Sequence, residues 1–261
     1  MTADAVFTAL PDGLPIPEVV DRDAWQERLS ALLVREKAHT REGDAIAAAR
    51  RELPMVEVDP MLTLIGAQGR VRLVDVFEGR RQLIAYFHMW HTGQPAENQC
   101  EGCTFFNGQV RELSYLHSRD VTYATFCEGS YEEGSRYHEF MGWESPWYSA
   151  TESADALIAG RWFGMQVCYL RDGDRVYETY WADARAAEVL APSYGLLDMT
   201  VYGRQEAWEQ SPDGWPQRWR TNGEQFRTRG RPTAQWSRLE AGRSDDLGGG
   251  AAAATPSCCH S

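Results

Sequence analysis

The sequence predicts an α/β domain in which helices flank a central mixed sheet. Residues 82–90 are a short apolar and aromatic run typical of a buried strand, and residues 121–127 are a second run of this kind. Between them, apolar residues in 106–116 recur at the spacing of one helix face. Residues 171–174, Arg-Asp-Gly-Asp, separate two further strand-like runs and predict a β-hairpin.

The order of these segments predicts how the strands pair. Strand, helix, strand, a second helix over 131–142 and then a hairpin is the order in which the first two strands lie parallel and adjacent. Upstream, residues 55–58, 62–65 and 71–73 are predicted as short strands, and residues 146–149 as a short extended piece.

A C-x-x-C motif, Cys100-Glu101-Gly102-Cys103, opens the predicted helix directly after the first strand. This is the thioredoxin arrangement, and it predicts a thioredoxin-like sheet with a dithiol–disulfide centre. The helix N-terminus favours thiolate, so we expect Cys100 to be the exposed nucleophile and Cys103 the resolving thiol one turn later. Glu101 adds a negative charge that disfavours thiolate, and it therefore predicts a couple that works in the reducing direction.

Two histidines at the end of the first strand leave a second function open. His88 and His91, with Cys100 and Cys103, could complete a four-ligand zinc or copper site. Alternatively, His91 acts on a thiol proton as a modulator of the dithiol. A third reading is a binding module whose dithiol is incidental.

Composition narrows the classes of function. The 261 residues are 43% hydrophobic and 25% charged, and the net charge of −12 argues against nucleic acid or an anionic membrane as partner. No apolar run approaches the roughly 20 residues of a membrane helix, and the acidic start lacks the features of a signal peptide. With six cysteines in the whole chain, we expect a cytoplasmic protein.

No phosphate-binding glycine loop or dinucleotide fingerprint is found, so we expect no bound cofactor. The dithiol would exchange electrons with a thiol/disulfide protein or with a small-molecule substrate. The sequence does not specify the oligomeric state. Cys127 and Cys168 fall in predicted strands and are expected to be buried small apolar residues.

The chain is predicted to have three parts. Residues 1–20 are a loose arm, and 21–220 form the thioredoxin-like domain with an N-terminal helix over 24–52, capped by Asp23 and packed outside the sheet. Residues 221–261 are expected to be a disordered tail ending in Cys258-Cys259-His260. On such a tether the terminal cysteines could exchange with the dithiol or bind a soft metal ion.

Residues 24–220 resemble a largely bacterial family of unknown function described as predicted dithiol–disulfide oxidoreductases with a thioredoxin-like fold. Besides Cys100-x-x-Cys103, the segments that carry this resemblance are 33–37, 50–54, 73–80, 82–84, 141–143, 146–147, 170–173 and 198–204. The resemblance implies the fold and a redox-active cysteine pair, and it does not specify a substrate.

One position departs from thioredoxins, which place a cis-proline beside the dithiol. Here the corresponding residues are Trp162-Phe163-Gly164-Met165. Because a cis bond to a non-proline residue costs about 2.5–4 kcal/mol, we expect a trans loop. This leaves room beside the dithiol for a metal or a small substrate.

Overall fold

The computed structural model describes residues 6–220 and 223–247, and an eight-stranded mixed sheet lies at the centre of this part. The strands are β1 Val56–Val58, β2 Thr63–Gly66, β3 Gly69–Arg72, β4 Gln82–His88, β5 Val121–Cys127, β6 Trp147–Ser149, β7 Gln166–Asp172 and β8 Arg175–Ala182. Their order across the sheet is β1-β8-β7-β4-β5-β6-β2-β3.

Helices and a small ribbon surround the sheet. The helices are α1 Arg22–Arg51, α2 Glu101–Asn107, α3 Ser114–His117, α4 Tyr131–Met141, α5 Ala154–Ile158, α6 Pro192–Asp198 and α7 Trp236–Glu240. The ribbon pairs β9 Arg227–Thr228 with β10 Arg231–Pro232. Within the described residues, no helix is both long enough and apolar enough to cross a membrane.

The middle of the sheet has the predicted thioredoxin-like arrangement. β4 pairs in parallel with β5, with Phe87 opposite Phe126 and His88 opposite Cys127, and it pairs antiparallel with β7. β7 and β8 form the predicted hairpin, in which Gly173 takes φ 61° in a two-residue loop. The α/β class and the thioredoxin-like mixed sheet are therefore confirmed.

Strand alternation divides the core between the two faces of β4. Leu83, Ala85 and Phe87 join the larger apolar cluster on one face. On the opposite face, Tyr86 packs with Tyr123 and Cys103, all of them buried. The second cysteine of the motif is thus built into the core against the central strands.

The N-terminal helix is present but differs in detail from the prediction. It spans Arg22–Arg51, and its N-cap is Asp21, whose Oδ1 accepts from Ala24 N at 2.8 Å. The predicted cap at Asp23 is wrong because Asp23 already lies in the first turn. None of the helix residues is buried, but the helix touches the sheet at its end, where the Arg50 guanidinium lies 4.9 Å from the ring centroid of Tyr180 in β8.

Residues 223–247 differ from the predicted disordered tail. They form a ribbon and a helix that are held on the domain by ion pairs. The arginines of this segment are anchored by carboxylates: Arg227 pairs with Glu101, and Arg231 pairs with Glu97. Gln235 is fully buried, and its amide donates to Tyr137 Oη at 2.7 Å. Residues 221–222 and 248–261, with the Cys258-Cys259-His260 end, lie outside the described residues.

Candidate active site

The connector after β4 places the dithiol at the start of α2. A short 3₁₀ turn, Ala96–Asn98, precedes the motif, and Cys100 is the N-cap residue of the helix. Its Sγ accepts a hydrogen bond from the backbone N–H of Cys103 at 3.3 Å. Both cysteines are free thiols in this structure. The predicted position of the motif is therefore the observed one.

Cys100 is the outer thiol of the pair. It is partly exposed, and a hydrogen bond from the Cys103 side chain holds its pKa below the ordinary value of a thiol. Burial opposes this effect, and the charge of Glu101 opposes it more weakly. The net direction favours thiolate at Cys100, which is the property of an attacking sulfur.

Cys103 is the inner thiol. It is only 3% exposed, and its burial raises its pKa well above the ordinary value. Its Sγ accepts from the backbone N–H of Met89 at 3.4 Å, and the Tyr86 side chain also hydrogen-bonds to it. The two sulfurs are thus chemically different: one is reachable and acidic, and the other is enclosed and held as a thiol.

Met89 lies beside Cys100, and Gly164 lies next to Met89. Met89 Sδ lies 4.0 Å from Cys100 Sγ. Gly164 has φ +99°, and a Cβ atom at this position would lie 3.4 Å from Met89 Sδ. No cis peptide bond is found in the described part of the chain, so the expected trans loop is present. Here a methionine thioether contacts the Cys100 sulfur.

Glu101 is held by an arginine from the C-terminal region. Arg227 Nη2 donates to Glu101 Oε2 at 2.9 Å and to the carbonyl of Gln99 at 3.2 Å, while Nη1 donates to the carbonyl of Glu97 at 2.9 Å. The guanidinium thereby links the connector to the first turn of α2. Arg227 was not predicted as a site residue. It is one of several arginines in a polar stretch, and that composition indicated a disordered tail.

Phe226 covers the first turn of α2 beside this ion pair. Its ring centroid lies 4.9 Å from that of Phe105 and 5.8 Å from that of Phe106. A Cβ atom on Gly102 would lie 3.7 Å from the Phe226 ring. The glycine of the motif therefore allows the C-terminal segment to pack closely on the helix that bears the dithiol.

His88 lies inside an aromatic enclosure. Its ring is fully buried, with centroids 5.2 Å from Trp147 and 5.8 Å from Trp143, and its Nδ1 is 2.7 Å from the carbonyl of Met89. Burial lowers the pKa of His88 to about 4, so the ring is neutral at pH 7. His88 is a core residue that fixes the backbone at Met89.

His91 is exposed on the connector. Its Nδ1 is 2.7 Å from the carbonyl of Asn98, and its backbone N–H donates to Gln99 Oε1. The predicted ligand set of His88, His91, Cys100 and Cys103 is wrong. Among the described residues no group of three or more histidine, cysteine, aspartate or glutamate side chains is placed to hold a metal ion. The reason is that the two rings turn to different carbonyl groups.

The other two described cysteines are not built like Cys100. Cys127 is fully buried, and burial raises its pKa to about 12. Cys168 is partly exposed on β7, and burial raises its pKa to about 11. A high pKa leaves little thiolate at pH 7, so neither has the character of an attacking thiol.

A cleft beside Glu101 offers space for a ligand. Its volume is about 350 Å³, and its lining residues are Glu101, Arg218, Trp219, Gly223, Glu224 and Arg227. The lining combines two guanidinium groups, two carboxylates and an indole. Such a surface suits a polar ligand or peptide segment that carries charge.

The order of the central strands and the dithiol at the start of α2 define a thioredoxin-like protein with a C-x-x-C centre. The chain belongs to the family described as "Bacterial protein of unknown function (DUF899)", which matches residues 15–226. The search of curated proteins found no match.

Several solved structures resemble the chain at low identity, among them the three that follow. Peroxiredoxin Q of Xanthomonas campestris is 13% identical with a TM-score of 0.39, and the match covers 53% of this chain and 90% of that one. Peroxidoxin BcpB of Mycobacterium tuberculosis is 15% identical with a TM-score of 0.35, covering 54% and 89%. A protein from Chlorobium tepidum, described as thiol:disulfide interchange protein DsbE, is 14% identical with a TM-score of 0.35, covering 53% and 94%. The fold assignment rests on the strand order.

Proposed function

We propose that this protein is a thiol–disulfide oxidoreductase that cycles Cys100 and Cys103 between dithiol and disulfide. The observation that carries the proposal is the asymmetry of the pair. Cys100 is reachable and its pKa is lowered, whereas Cys103 is enclosed and its pKa is raised. An attacking thiol and a resolving thiol need these two properties.

In the proposed reaction, a substrate disulfide is the oxidant and the Cys100–Cys103 dithiol is the reductant. The Cys100 thiolate attacks one sulfur of a substrate disulfide, the substrate S–S bond breaks, and the other substrate sulfur leaves as a thiolate that takes up a proton. Cys103 then loses its proton and attacks Cys100 in the mixed disulfide. The second substrate sulfur leaves as a thiol, and the protein retains the Cys100–Cys103 disulfide. Two electrons pass to the substrate, and an external dithiol restores the pair.

The proposed direction is reducing, in a cytoplasmic setting. The hydrogen bond from Cys103 lowers the pKa of Cys100, and the charge of Glu101 opposes this by making the thiolate less stable, which shifts the couple in the reducing direction. Arg227 pairs with Glu101 and offsets part of that charge. A measured potential near thioredoxin's −270 mV, about 150 mV below that of DsbA, supports the reductase assignment. A potential near −120 mV contradicts it.

The proposed substrate is a disulfide in a protein or a small molecule. The net charge of −12 disfavours nucleic acid as a partner. The charged cleft beside Glu101 supports a polar group as the part of the substrate bound next to the dithiol.

Alkylation with and without reductant tests the proposal. In the parent protein, mass spectrometry of peptides should show the Cys100 and Cys103 thiols appearing together on reduction. Cys100→Ser should abolish the reversible change, and Cys168→Ser should leave it intact. The proposal fails if the Cys100→Ser protein still cycles with the same two-electron stoichiometry.

A further inference from the structure

Three sulfur atoms from two segments meet at the end of β4. Met89 follows the last strand residue, while Cys100 and Cys103 lie on the connector and on α2. Met89 Sδ is 4.0 Å from Cys100 Sγ, the Cys100 and Cys103 side chains are hydrogen-bonded to each other, and the N–H of Met89 donates to Cys103 Sγ. The described part of the chain thus brings two thiols and one thioether together.

The spacing of the Met89 and Cys100 sulfurs suits a single ion bound between them. Metal–sulfur bonds are about 2.3 Å long, and three sulfurs at the corners of a trigonal site are then about 4 Å apart. The Met89–Cys100 separation has this value before any ion is bound. The third donor is the Cys103 sulfur, whose side chain is hydrogen-bonded to that of Cys100.

The surrounding contacts fix the methionine in place. The backbone carbonyl of Met89 lies 2.7 Å from Nδ1 of the buried His88 ring. The backbone N–H of Met89 donates a hydrogen bond to Cys103 Sγ at 3.4 Å. Gly164 leaves the space that the Met89 side chain fills. Met89 is still 37% exposed and Cys100 is partly exposed, so an ion can reach these two sulfurs from solvent. Hydrogen bonds of this kind to ligating groups orient them for a metal.

We propose that reduced Cys100 and Cys103, together with Met89, form a three-sulfur binding site for Cu(I). Thiolate and thioether ligands are the soft donors that Cu(I) prefers, whereas zinc sites use four ligands drawn from thiolate, imidazole and carboxylate. Binding releases the two thiol protons and leaves the copper as Cu(I), so no oxidant or reductant takes part.

Copper and disulfide formation compete for the same sulfurs, but the copper site does not depend on the proposed redox function. The alkylation experiment tests redox cycling, and the Cu(I) competition tests copper binding. Either result can therefore fail while the other holds. This site also differs from the predicted histidine set, because it takes its third ligand from Met89.

The test is competition for Cu(I) against bicinchoninate under anaerobic, reducing conditions. All proteins are full length and carry Cys258→Ser and Cys259→Ser, so that the terminal thiols do not contribute. The parent should take up one Cu(I). Met89→Leu, which keeps the side-chain size and removes the sulfur, should lower the affinity about tenfold or more. Met199→Leu, at an exposed methionine outside the site, should leave it unchanged.

X-ray absorption on the copper-loaded parent gives an independent readout that does not depend on any variant's folding. Three sulfur neighbours around the copper support the proposal. A two-sulfur site, or a site with nitrogen neighbours, overturns it, and so does a Met89→Leu protein with parental affinity.

Discussion

Arg227 Nη2 donates to Glu101 Oε2 across 2.9 Å, although 126 residues separate the two in the chain. The pair lies beside the dithiol, because Glu101 immediately follows Cys100. An acidic residue that would oppose thiolate formation is thereby partly neutralised by a group from the C-terminal segment. The ion pair is three-quarters buried, so its removal should be measurable.

Arg227→Gln should raise the pKa of Cys100, because the charge of Glu101 is then unpaired beside it. It should also destabilise the protein by about 1 kcal/mol through the lost hydrogen bonds. The pH profile of Cys100 alkylation by iodoacetamide measures the first effect, and urea unfolding measures the second. Arg70→Gln, which breaks an exposed pair with Glu152, is the matched control.

A double variant separates charge from structure. Glu101→Gln should lower the pKa of Cys100, and adding Arg227→Gln to it should cause no further change in the alkylation profile. If Arg227→Gln shifts the profile equally with and without Glu101, the arginine does not act through this carboxylate.

Cys103→Ala should raise the pKa of Cys100, because the hydrogen bond from the Cys103 side chain is the largest cause of its low value. The variant should also accumulate a stable mixed disulfide with a small aromatic disulfide, since no resolving thiol remains. Mass spectrometry of the adduct checks this. Cys127→Ala is the control and should form no such adduct in excess of the parent.

Acidification should destabilise the protein through His88. Its pKa is about 4 in the folded state against 6.5 for a free histidine, so the unfolded chain binds the proton more tightly. The stability contributed by the neutral ring is present above pH 6.5 and is lost as the pH falls towards 4. The expected loss between pH 7 and pH 4.5 is about 2 kcal/mol.

Urea unfolding at pH 7 and pH 4.5 measures the free energy of unfolding that the neutral His88 ring contributes. His88→Gln should reduce the pH dependence by that amount, whereas His39→Gln, at an exposed position on α1, should not. An unchanged pH dependence in His88→Gln would mean that the ring is not buried as a neutral group.

Gly129→Ala should be destabilising by about 1–3 kcal/mol, because the added Cβ would overlap the indole ring of Trp90. Gly43→Ala is the matched control in the interior of α1, where nothing lies within 4 Å. It should stabilise the protein by up to about 1 kcal/mol through helix propensity. Thermal unfolding compares the two; equal effects of the same sign would contradict the packing at Gly129.

The features predicted correctly are those that short stretches of sequence specify. The β4 and β5 strands follow from compact apolar runs, and the position of Cys100 follows from the strand, connector and helix around it. The helix that bears the dithiol is shorter than its apolar spacing predicted, since α2 ends at Asn107 and Gly108 follows. Val110, Leu113 and Leu116 nevertheless pack on the same cluster.

The features that were missed depend on distant partners. Nothing near Arg227 in the sequence shows that Glu101 is its partner, and the same arginine-rich composition suits a solvated tail equally well. His88 and His91 have the spacing of ligands, but tryptophans more than 50 residues away enclose His88, whereas the ring of His91 lies in the exposed connector beside the Asn98 carbonyl. Met89 was overlooked because methionine in an apolar run is ordinarily a packing residue.

The placement of Arg227 has a consequence for how the protein is made. A ribosome that adds 5–20 residues per second needs about 6 to 25 s to proceed from Glu101 to Arg227. During that interval the cysteine pair and the strands around it exist on the nascent chain without the segment that covers the first turn of α2. The two thiols are thus synthesised at a helix start whose first turn stays uncovered until the last part of the chain has emerged.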